Sequence, residues 1–276
     1  MGAALSNDDV ARYWADGFLG PIDVMAPAEA AALRRDLETI ETRHGPIHFV
    51  VKPHLIMTAA DRIVRHRAVL DAVEAILGPD ILLWDSGFVI KEPKTEAFVS
   101  WHQDQTYWGL DSEDGVVSAW VALSPATEQS GCMRMVPGSH RGGKRAHAET
   151  FETDNVLSRG QTVTIGADEP VVSCPLQPGQ MSLHHGWVLH ASQPNQSDDR
   201  RIGLAINYIR ADVRQSMLEH DTAMLVRGRD RWGLYELETP PSSDFAPDAL
   251  ALQARVAKAR GAEINVGADD YKLANA

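Results

Sequence analysis

The segment WHQDQ at 101–105 carries residue types that bind metals, at a spacing that would bring them together. Side chains two residues apart on a β-strand point to the same face, so His102 and Asp104 would present an imidazole and a carboxylate side by side. These are two of the three ligands of a 2-His-1-carboxylate facial triad, which holds Fe(II) and leaves coordination positions open. A lone His-x-Asp also occurs as an ordinary pair in sheets, so a third ligand must come from a distant part of the chain.

Three histidines further along the chain are candidates for that third ligand. They are His184, His185 and His190, in the stretch LHHGWVLHAS at 183–192. Each of them could face the first pair from a neighbouring strand, or could be a buried, hydrogen-bonded core residue.

The same region offers groups that could hold a dicarboxylic cosubstrate. Ser192 closes the histidine stretch, and Arg200 and Arg201 begin the next apolar run. A guanidinium binds a carboxylate through two parallel hydrogen bonds, so one of these arginines could grip such a compound. The hydroxyl of Ser192 could donate to the same carboxylate.

The elements that must position these residues are mainly β-strands. From residue 80 onward, short runs rich in Val, Ile, Trp and Phe alternate with turn clusters, which is typical of a sandwich or barrel rather than of alternating βα units. The strand candidates are 81–91, 98–104, 116–124, 132–138, 161–165, 170–176, 180–185 and 201–210. We therefore predict a mainly β fold with flanking helices, built on a double-stranded β-helix, the jelly-roll core of cupin-like proteins.

Helical periodicity is confined to the two ends of the chain. It predicts helices at 7–16, 27–42, 63–77 and 247–260, with a turn at 16–21. We expect one domain over 1–276, with a helical part at about 1–79, a jelly-roll core at about 80–212 and a C-terminal lid or helix segment at about 213–276.

Composition excludes several other classes of protein. Lys and Arg number 26 against 38 Asp and Glu, a net charge of −12 that argues against a nucleic-acid partner. Two cysteines rule out a disulfide scaffold and an all-Cys metal site. The chain has no apolar run long enough for a membrane span and no signal-peptide pattern, so we expect a cytoplasmic protein without a membrane partner.

Taken together and in order, the motifs resemble those of the phytanoyl-CoA dioxygenase family. The matching motifs are WHQD at 101–104, AW at 119–120, GCMRMVPGSH at 131–140, HHGWVLHASQPNQS at 184–197 and RRIGL at 200–204. The resemblance covers roughly residues 80–210, and DGF at 16–18 also fits the family's opening. It implies Fe(II), 2-oxoglutarate and O₂ as cofactor and cosubstrates.

The resemblance also implies roles for particular residues. It gives His102, Asp104 and His190 as iron ligands. His190 is preferred over His184 and His185 because the family's distal histidine precedes a serine by two residues and an arginine by eleven. Ser192 and Arg201 meet both spacings, so Arg201 rather than its neighbour would bind the far carboxylate of 2-oxoglutarate.

Further positions follow from the same comparison. His185 matches a family position near the metal but outside its ligand set, where it would orient a ligand. Trp120 matches a tryptophan at the cosubstrate pocket, and could equally be a core aromatic. Family members that halogenate lack the carboxylate ligand, so Asp104 implies hydroxylation or a related oxidation.

The substrate side is less specified. Alternation along 84–91 puts Asp85 and Lys91 on one face, and this strand usually lines the pocket in the family. Asp85 stands where some relatives have a glutamine that binds the cosubstrate, so it could meet a cationic part of the substrate instead. Gln105, Tyr107 and Trp108 are expected to wall the substrate pocket, although Trp108 could simply pack in the core.

Two further segments have open interpretations. The basic stretch 140–147 is either a solvated loop or an anchor for an anionic group. The stretch 226–235, dense in Arg, Trp and Tyr, could cover the mouth of the pocket or contact a second subunit.

The expected protein is thus a non-haem iron, 2-oxoglutarate-dependent hydroxylase of a small, polar or anionic metabolite, releasing succinate and CO₂, as a monomer or homodimer. The alternatives are a cupin-like dioxygenase or isomerase that does not use 2-oxoglutarate, and a non-catalytic binding protein on the same fold. The absence of HExxH disfavours a zinc hydrolase.

Overall fold

The structure is a computed structural model that describes residues 4–149, 154–157 and 161–263. Its α-helices are α1 Asn7–Asp16, α2 Pro27–His44, α3 Thr58–Val64, α4 Arg67–Leu77 and α5 Pro247–Glu263. Its strands are β1 Phe18–Asp23, β2 Ile81–Lys91, β3 Val99–His102, β4 Val116–Ala122, β5 Met133–Met135, β6 Ala148–Glu149, β7 Gln161–Thr162, β8 Val172–Cys174, β9 Gln180–His185, β10 His190–Ser192, β11 Arg201–Arg210, β12 Thr222–Arg227 and β13 Glu236–Leu237.

The strands form two main sheets, which confirms the predicted jelly roll. The larger sheet has the order β1-β9-β4-β11-β2-β12-β13, and the smaller has the order β3-β10-β5-β8. The larger sheet takes strands from outside 80–212 at both of its edges. None of the helices in the described ranges is long and apolar enough to cross a membrane.

The outer face of the larger sheet holds the main apolar core. Phe88 and Ile90 of β2 and the even-numbered residues 202–208 of β11, among them Leu204, pack in one cluster with the apolar stripes of α2 and α4. Leu37 and Val73 from those stripes are fully buried there. Helix and sheet each bury their apolar side against the other. The helices therefore cover one face of the larger sheet and leave its opposite face uncovered by helices α2 and α4.

The opposite face of the larger sheet, called the inner face below, looks toward the smaller sheet. On β2 only Asp85, Gly87 and Val89 are partly exposed, and on β11 Ala205 and Asn207 are partly exposed within the inward-facing run. The period of two shows that one side of these strands lines an open space. A Cβ added at Gly87 would meet nothing within 4 Å, which agrees with a cavity at that point.

Three local expectations are wrong. The turn at 16–21 is instead the edge strand β1, which tolerates Pro21 because an edge strand need not donate every N–H. The helix at 63–77 is two helices, because His66 is extended, with ψ 129°. The strand at 98–104 ends at His102, and Asp104 opens a 3₁₀ turn over Asp104–Tyr107.

Candidate metal centre

Two adjacent strands of the smaller sheet and the turn after β3 bring the three predicted ligands together. His190 on β10 is the direct register partner of His102 on β3. Asp104 Oδ1 lies 3.2 Å from His102 Nε2 and 3.4 Å from His190 Nε2. One ligand atom from each residue falls within 4.8 Å of the others, a spacing that a single metal ion can bridge. Two imidazoles and one carboxylate form the donor set of a facial triad.

The backbone leaves the strand after His102 because Gln103 is anchored. Its buried side chain donates to the carbonyls of Gly143 at 2.8 Å and Trp187 at 2.7 Å. These bonds pull the chain out of the strand before Asp104, so the carboxylate reaches the histidines from a 3₁₀ turn rather than from the strand face.

Each histidine is oriented by its second ring nitrogen. The Nδ1 of His102 lies 2.9 Å from the Ser100 carbonyl, and the Nδ1 of His190 lies 3.2 Å from the Val188 carbonyl. A carbonyl only accepts, so Nδ1 carries the proton and the lone pair of Nε2 faces the cluster.

The ionisation states also suit a cation. Burial lowers the pKa of His190 to about 3, and the neighbouring His102 adds to the shift, so the imidazole is neutral. Burial alone would raise the pKa of Asp104, but the imidazoles of His190, His102 and His184 outweigh it and hold that pKa well below its ordinary value. A neutral imidazole and an ionised carboxylate are the forms that bind metal.

His184, a candidate third ligand that the resemblance did not select, orients the Asp104 carboxylate. Its Nε2 lies 3.2 Å from Asp104 Oδ2, and the hydroxyl of Ser118 donates to the same oxygen at 3.1 Å. Ser118 also lies 3.0 Å from the side chain of Asn207. Alternation along β9 turns His184 inward, but only the pairing of His184 with Ser118 on β4 reveals which of the two adjacent histidines faces the metal centre.

His185 therefore does not take the position near the metal that the resemblance implied. It points to the other side of β9, where it lies 3.2 Å from Asp114 and accepts from the backbone N–H of Trp187 at 3.1 Å. Its ring packs 5.1 Å from that of His140. Burial lowers the pKa of His185, and its ring also lies 6.2 Å from that of Trp14 on α1, so His185 is a packing residue.

A pair of buried cations, Lys91 and Arg201, lies on the same inner face and is called the cationic end below. They are direct register partners on β2 and β11 and are 0% and 1% exposed. Arg201 donates from Nη1 to the Gly131 carbonyl at 3.0 Å, while its Nε and Nη2 have no partner in the described structure. Neither cation contacts a carboxylate among the described residues.

Ser192 and Trp120 complete the cationic end. Lys91 Nζ donates to Ser192 Oγ at 2.8 Å and also to the Gln193 carbonyl, while the Arg201 guanidinium lies 5.1 Å from the Trp120 ring. The sequence assigned Lys91 to the substrate side, whereas its neighbours are the residues expected at the cosubstrate.

The missing counter-charge is reflected in the pKa values of both cations. Burial, together with the Arg201 guanidinium beside it, lowers the pKa of Lys91 to about 6. Burial lowers the pKa of Arg201 to about 10. Orphaned guanidinium N–H groups are costly to bury, so their presence fits an anion such as the far carboxylate of 2-oxoglutarate. Adjacent Arg200 points outward to Glu41 at 2.7 Å and Glu92 at 2.8 Å.

The remaining residues expected to line the substrate pocket differ in whether they face the open space. Asp85 faces the cavity on the inner face, while Gln105 is buried against Gly186 and bonds to the Ser112 carbonyl, so Gln105 does not line the open space. Trp108 is half-buried and packs 5.5 Å from Trp84. Tyr107 lies in the 3₁₀ turn, but its side chain is outside the described part of the structure.

Comparison with known proteins agrees with this geometry. The family model described as phytanoyl-CoA dioxygenase matches residues 13–203. A probable alpha-ketoglutarate-dependent hypophosphite dioxygenase from Stutzerimonas stutzeri is 34% identical over 168 residues, 59% of this chain and 57% of that protein. The 1-deoxypentalenic acid 11-beta-hydroxylase of Streptomyces arenae is 30% identical over 173 residues, 59% of each protein. The chain thus spans little more than half the length of these relatives.

A solved structure extends the match along nearly the whole chain. The apo form of the non-heme monooxygenase ThoJ is 35% identical, with a TM-score of 0.82, and the match covers 95% of this chain and 99% of that one. The expected cofactors, iron(II) and 2-oxoglutarate, fit the donors and the orphaned cations described above. The chain belongs to the phytanoyl-CoA dioxygenase family.

Proposed function

We propose that the protein is an Fe(II)- and 2-oxoglutarate-dependent oxygenase that hydroxylates an unactivated C–H bond of a small polar metabolite. The observation that carries this proposal is the proximity of two unlike sites. A His–Asp–His donor set lies on the smaller sheet and the turn after β3, and Lys91 and Arg201, two buried basic residues without a counter-ion, lie on the inner face, where Lys91 contacts Ser192 two residues from His190. The names of the Streptomyces relative, a hydroxylase, and of ThoJ, a monooxygenase, support the same reaction class.

The chain's own residues would each perform a defined task. His102, Asp104 and His190 supply three donors and leave the rest of the coordination sphere open. Arg201 and Lys91 bind the far carboxylate of 2-oxoglutarate, and His184 with Ser118 fixes the Asp104 carboxylate.

Iron(II) bound there would supply O₂ activation, with 2-oxoglutarate as the co-reductant. One oxygen atom of O₂ enters the substrate as hydroxyl and the other enters succinate, while 2-oxoglutarate loses CO₂. The two electrons from the substrate C–H bond and the two from 2-oxoglutarate together reduce O₂.

The rival cupin-like enzyme would need the three ligands but not the cationic end. An oxygenase or isomerase that acts on its substrate directly has no use for two buried basic residues near its metal site. The Arg201 guanidinium is buried with two unpartnered nitrogens, which lowers the free energy of unfolding, so its presence favours the reaction that uses an oxo-diacid.

The test is succinate release. Purified protein supplied with Fe(II), 2-oxoglutarate and O₂ is expected to form succinate, and His102→Ala to lower it to background because the metal loses a donor. His220→Ala is the matched control, since that side chain is 89% exposed. Asp104→Gly is expected to abolish hydroxylation. Succinate release that does not depend on His102 would contradict the proposal, as would full activity of the Asp104 variant.

A further inference from the structure

Asp85 lies on the inner face within reach of a molecule bound at the metal centre. The Asp104 carboxylate contacts Ser118, Ser118 contacts Asn207, and Asn207 is the direct register partner of Asp85. Neighbouring strands lie about 4.8 Å apart, so the backbone at Asp85 is roughly 10 Å from that at Ser118. A small substrate placed beside the metal would span this distance.

The cavity is open next to Asp85. Gly87 follows it on the same face, with no atom within 4 Å of the position that a Cβ would occupy. The register partner of Gly87 is Ala205, another small residue. The inner face is therefore open beside Asp85, on the side that leads to Gly87 and Ala205.

Asp85 belongs to a group of five ionisable residues called the acidic end below. The group consists of Lys52, Asp85, Asp221, Glu238 and Arg260. Three carboxylates face two cations, which leaves one net negative charge. Lys52 is paired with Glu238, and His54, also on Glu238 at 3.1 Å, is kept neutral because burial lowers its pKa.

The arginine of this group is not available to a ligand. Arg260 lies over the Trp84 ring at 4.4 Å, donates to the Trp84 carbonyl at 3.0 Å and contacts Asp221 at 3.2 Å. It is 5% exposed, and its remaining nitrogen, Nη1, faces Asp85 Oδ1 at 3.1 Å. A guanidinium shared between two carboxylates attracts no third anion.

One oxygen of Asp85 remains uncommitted. Oδ1 is buried toward Arg260, whereas the side chain as a whole is 29% exposed. Oδ2 has no hydrogen-bond partner among the described residues. A carboxylate oxygen only accepts hydrogen bonds, so the group that completes it must be a donor, and the net negative charge favours a positively charged one.

We propose that Asp85 is the specificity-determining residue of the active site and that it selects a substrate carrying a protonated amine. The inference rests on the proposed oxygenase function and narrows its substrate class. An anionic substrate would instead meet a carboxylate whose contacting cation, Arg260, is already shared with Asp221. The basic stretch at 140–147 gives such a substrate little support, because Arg145 is paired with Glu169 at 2.9 Å.

The first arm of the test uses the intact holoenzyme. A metabolite extract of the organism that carries this protein is separated on a cation exchanger into a retained fraction and a flow-through. Each fraction is then added to protein with Fe(II), 2-oxoglutarate and O₂, and the increase in succinate release is measured. We expect the retained, cationic fraction to stimulate the release. Stimulation confined to the flow-through, or by neither fraction, overturns the inference.

The second arm tests the residue. Asp85→Asn keeps the size of the side chain and removes its charge, so stimulation by the retained fraction is expected to fall about tenfold or more, the loss of a charge-assisted hydrogen bond. Asp198→Asn, at a side chain that is 93% exposed, removes the same charge elsewhere and should leave stimulation unchanged. If the retained fraction stimulates wild type and Asp85→Asn equally, the inference is overturned. This holds whichever fraction stimulates the wild-type protein in the first arm.

The two hypotheses fail in different ways. If His102-dependent succinate release is absent with and without both fractions, the oxygenase function and the amine inference both fall. If that release is present and only the flow-through increases it, the amine inference falls alone. Thermal unfolding of each variant checks that the comparison is made between folded proteins.

Discussion

Buried basic side chains are paired with carboxylates at the acidic end and have no carboxylate partner at the cationic end. At the acidic end, Lys52 and Arg260 are each held by carboxylates and hydrogen bonds of the protein itself. At the cationic end, Arg201 has two unpartnered nitrogens and Lys91 only carbonyl and hydroxyl acceptors. Both pairs are buried to a similar degree, so burial alone does not separate them.

The difference separates stability from function. A buried charge that is paired contributes to the fold, and removing its partner leaves an uncompensated ion. A buried charge without a partner lowers the free energy of unfolding and persists where a ligand uses it. The same kind of substitution should therefore have opposite effects on stability at the two ends.

Arg201→Met removes the unpaired guanidinium of the cationic end. Loss of the guanidinium should raise the KM for 2-oxoglutarate about 100-fold, the cost of removing one member of a buried, hydrogen-bonded ion pair. The same change should increase the free energy of unfolding by about 1 kcal/mol, since an unpaired buried charge is replaced by an apolar side chain. Succinate assays over a range of 2-oxoglutarate concentrations and denaturant unfolding measure the two quantities.

The neighbouring arginine is the matched control. Arg200 is paired with Glu41 and Glu92 on the outside, so Arg200→Met should leave the KM unchanged and alter the free energy of unfolding by less than about 1 kcal/mol. A KM that rises equally in both variants would show that the cationic end does not bind 2-oxoglutarate.

Arg260→Met should reverse the stability effect. The substitution leaves the buried Asp221 carboxylate without its cation and removes the contact of α5 with the Trp84 ring. The free energy of unfolding should therefore fall by about 3 kcal/mol. Arg255, on the same helix α5, forms an exposed ion pair with Glu236 of β13. Arg255→Met should lower the free energy of unfolding by less than about 1 kcal/mol. Equal unfolding midpoints for these two variants would contradict the structural role of the acidic end.

Much of the candidate site is predictable because it is encoded locally. His102 and Asp104 lie two residues apart, although Asp104 reaches the site from a 3₁₀ turn and not from the strand face, and the strand alternation that places Asp85 and Lys91 on one face holds in the structure. The resemblance then pointed to His190 and Arg201 through their spacing to each other. These inferences depend on residues in one strand or one motif.

What the sequence could not give depends on pairing between distant strands. His184 and His185 are equivalent candidates until β9 is placed beside β4, and the pairing of His184 with Ser118 decides between them. Lys91 could be assigned to the cosubstrate only once β2 and β11 were in register, since Arg201 lies opposite it. Gly20 and Pro21 predict a turn, and only the position of β1 at a sheet edge permits a strand there.

The pKa of Lys91 makes the binding of 2-oxoglutarate at the cationic end depend on pH. Without an anion, burial holds its pKa at about 6, so above that pH the side chain is mostly neutral. A bound 2-oxoglutarate carboxylate favours the protonated form and raises this pKa, and binding above pH 6 therefore takes up a proton. The Kd should consequently increase with pH by up to about tenfold per unit, until pH passes the raised pKa.

Calorimetric titration with 2-oxoglutarate at pH 7.5, with Ni(II) in place of iron, would measure the proton uptake from the difference between two buffers of unlike ionisation enthalpy. Lys91→Met should abolish the uptake, while Lys94→Met, at a side chain that is 57% exposed, should leave it intact. Binding without proton uptake in the wild type would mean that Lys91 stays neutral in the complex, and Arg201 alone would then supply the charge at the cationic end.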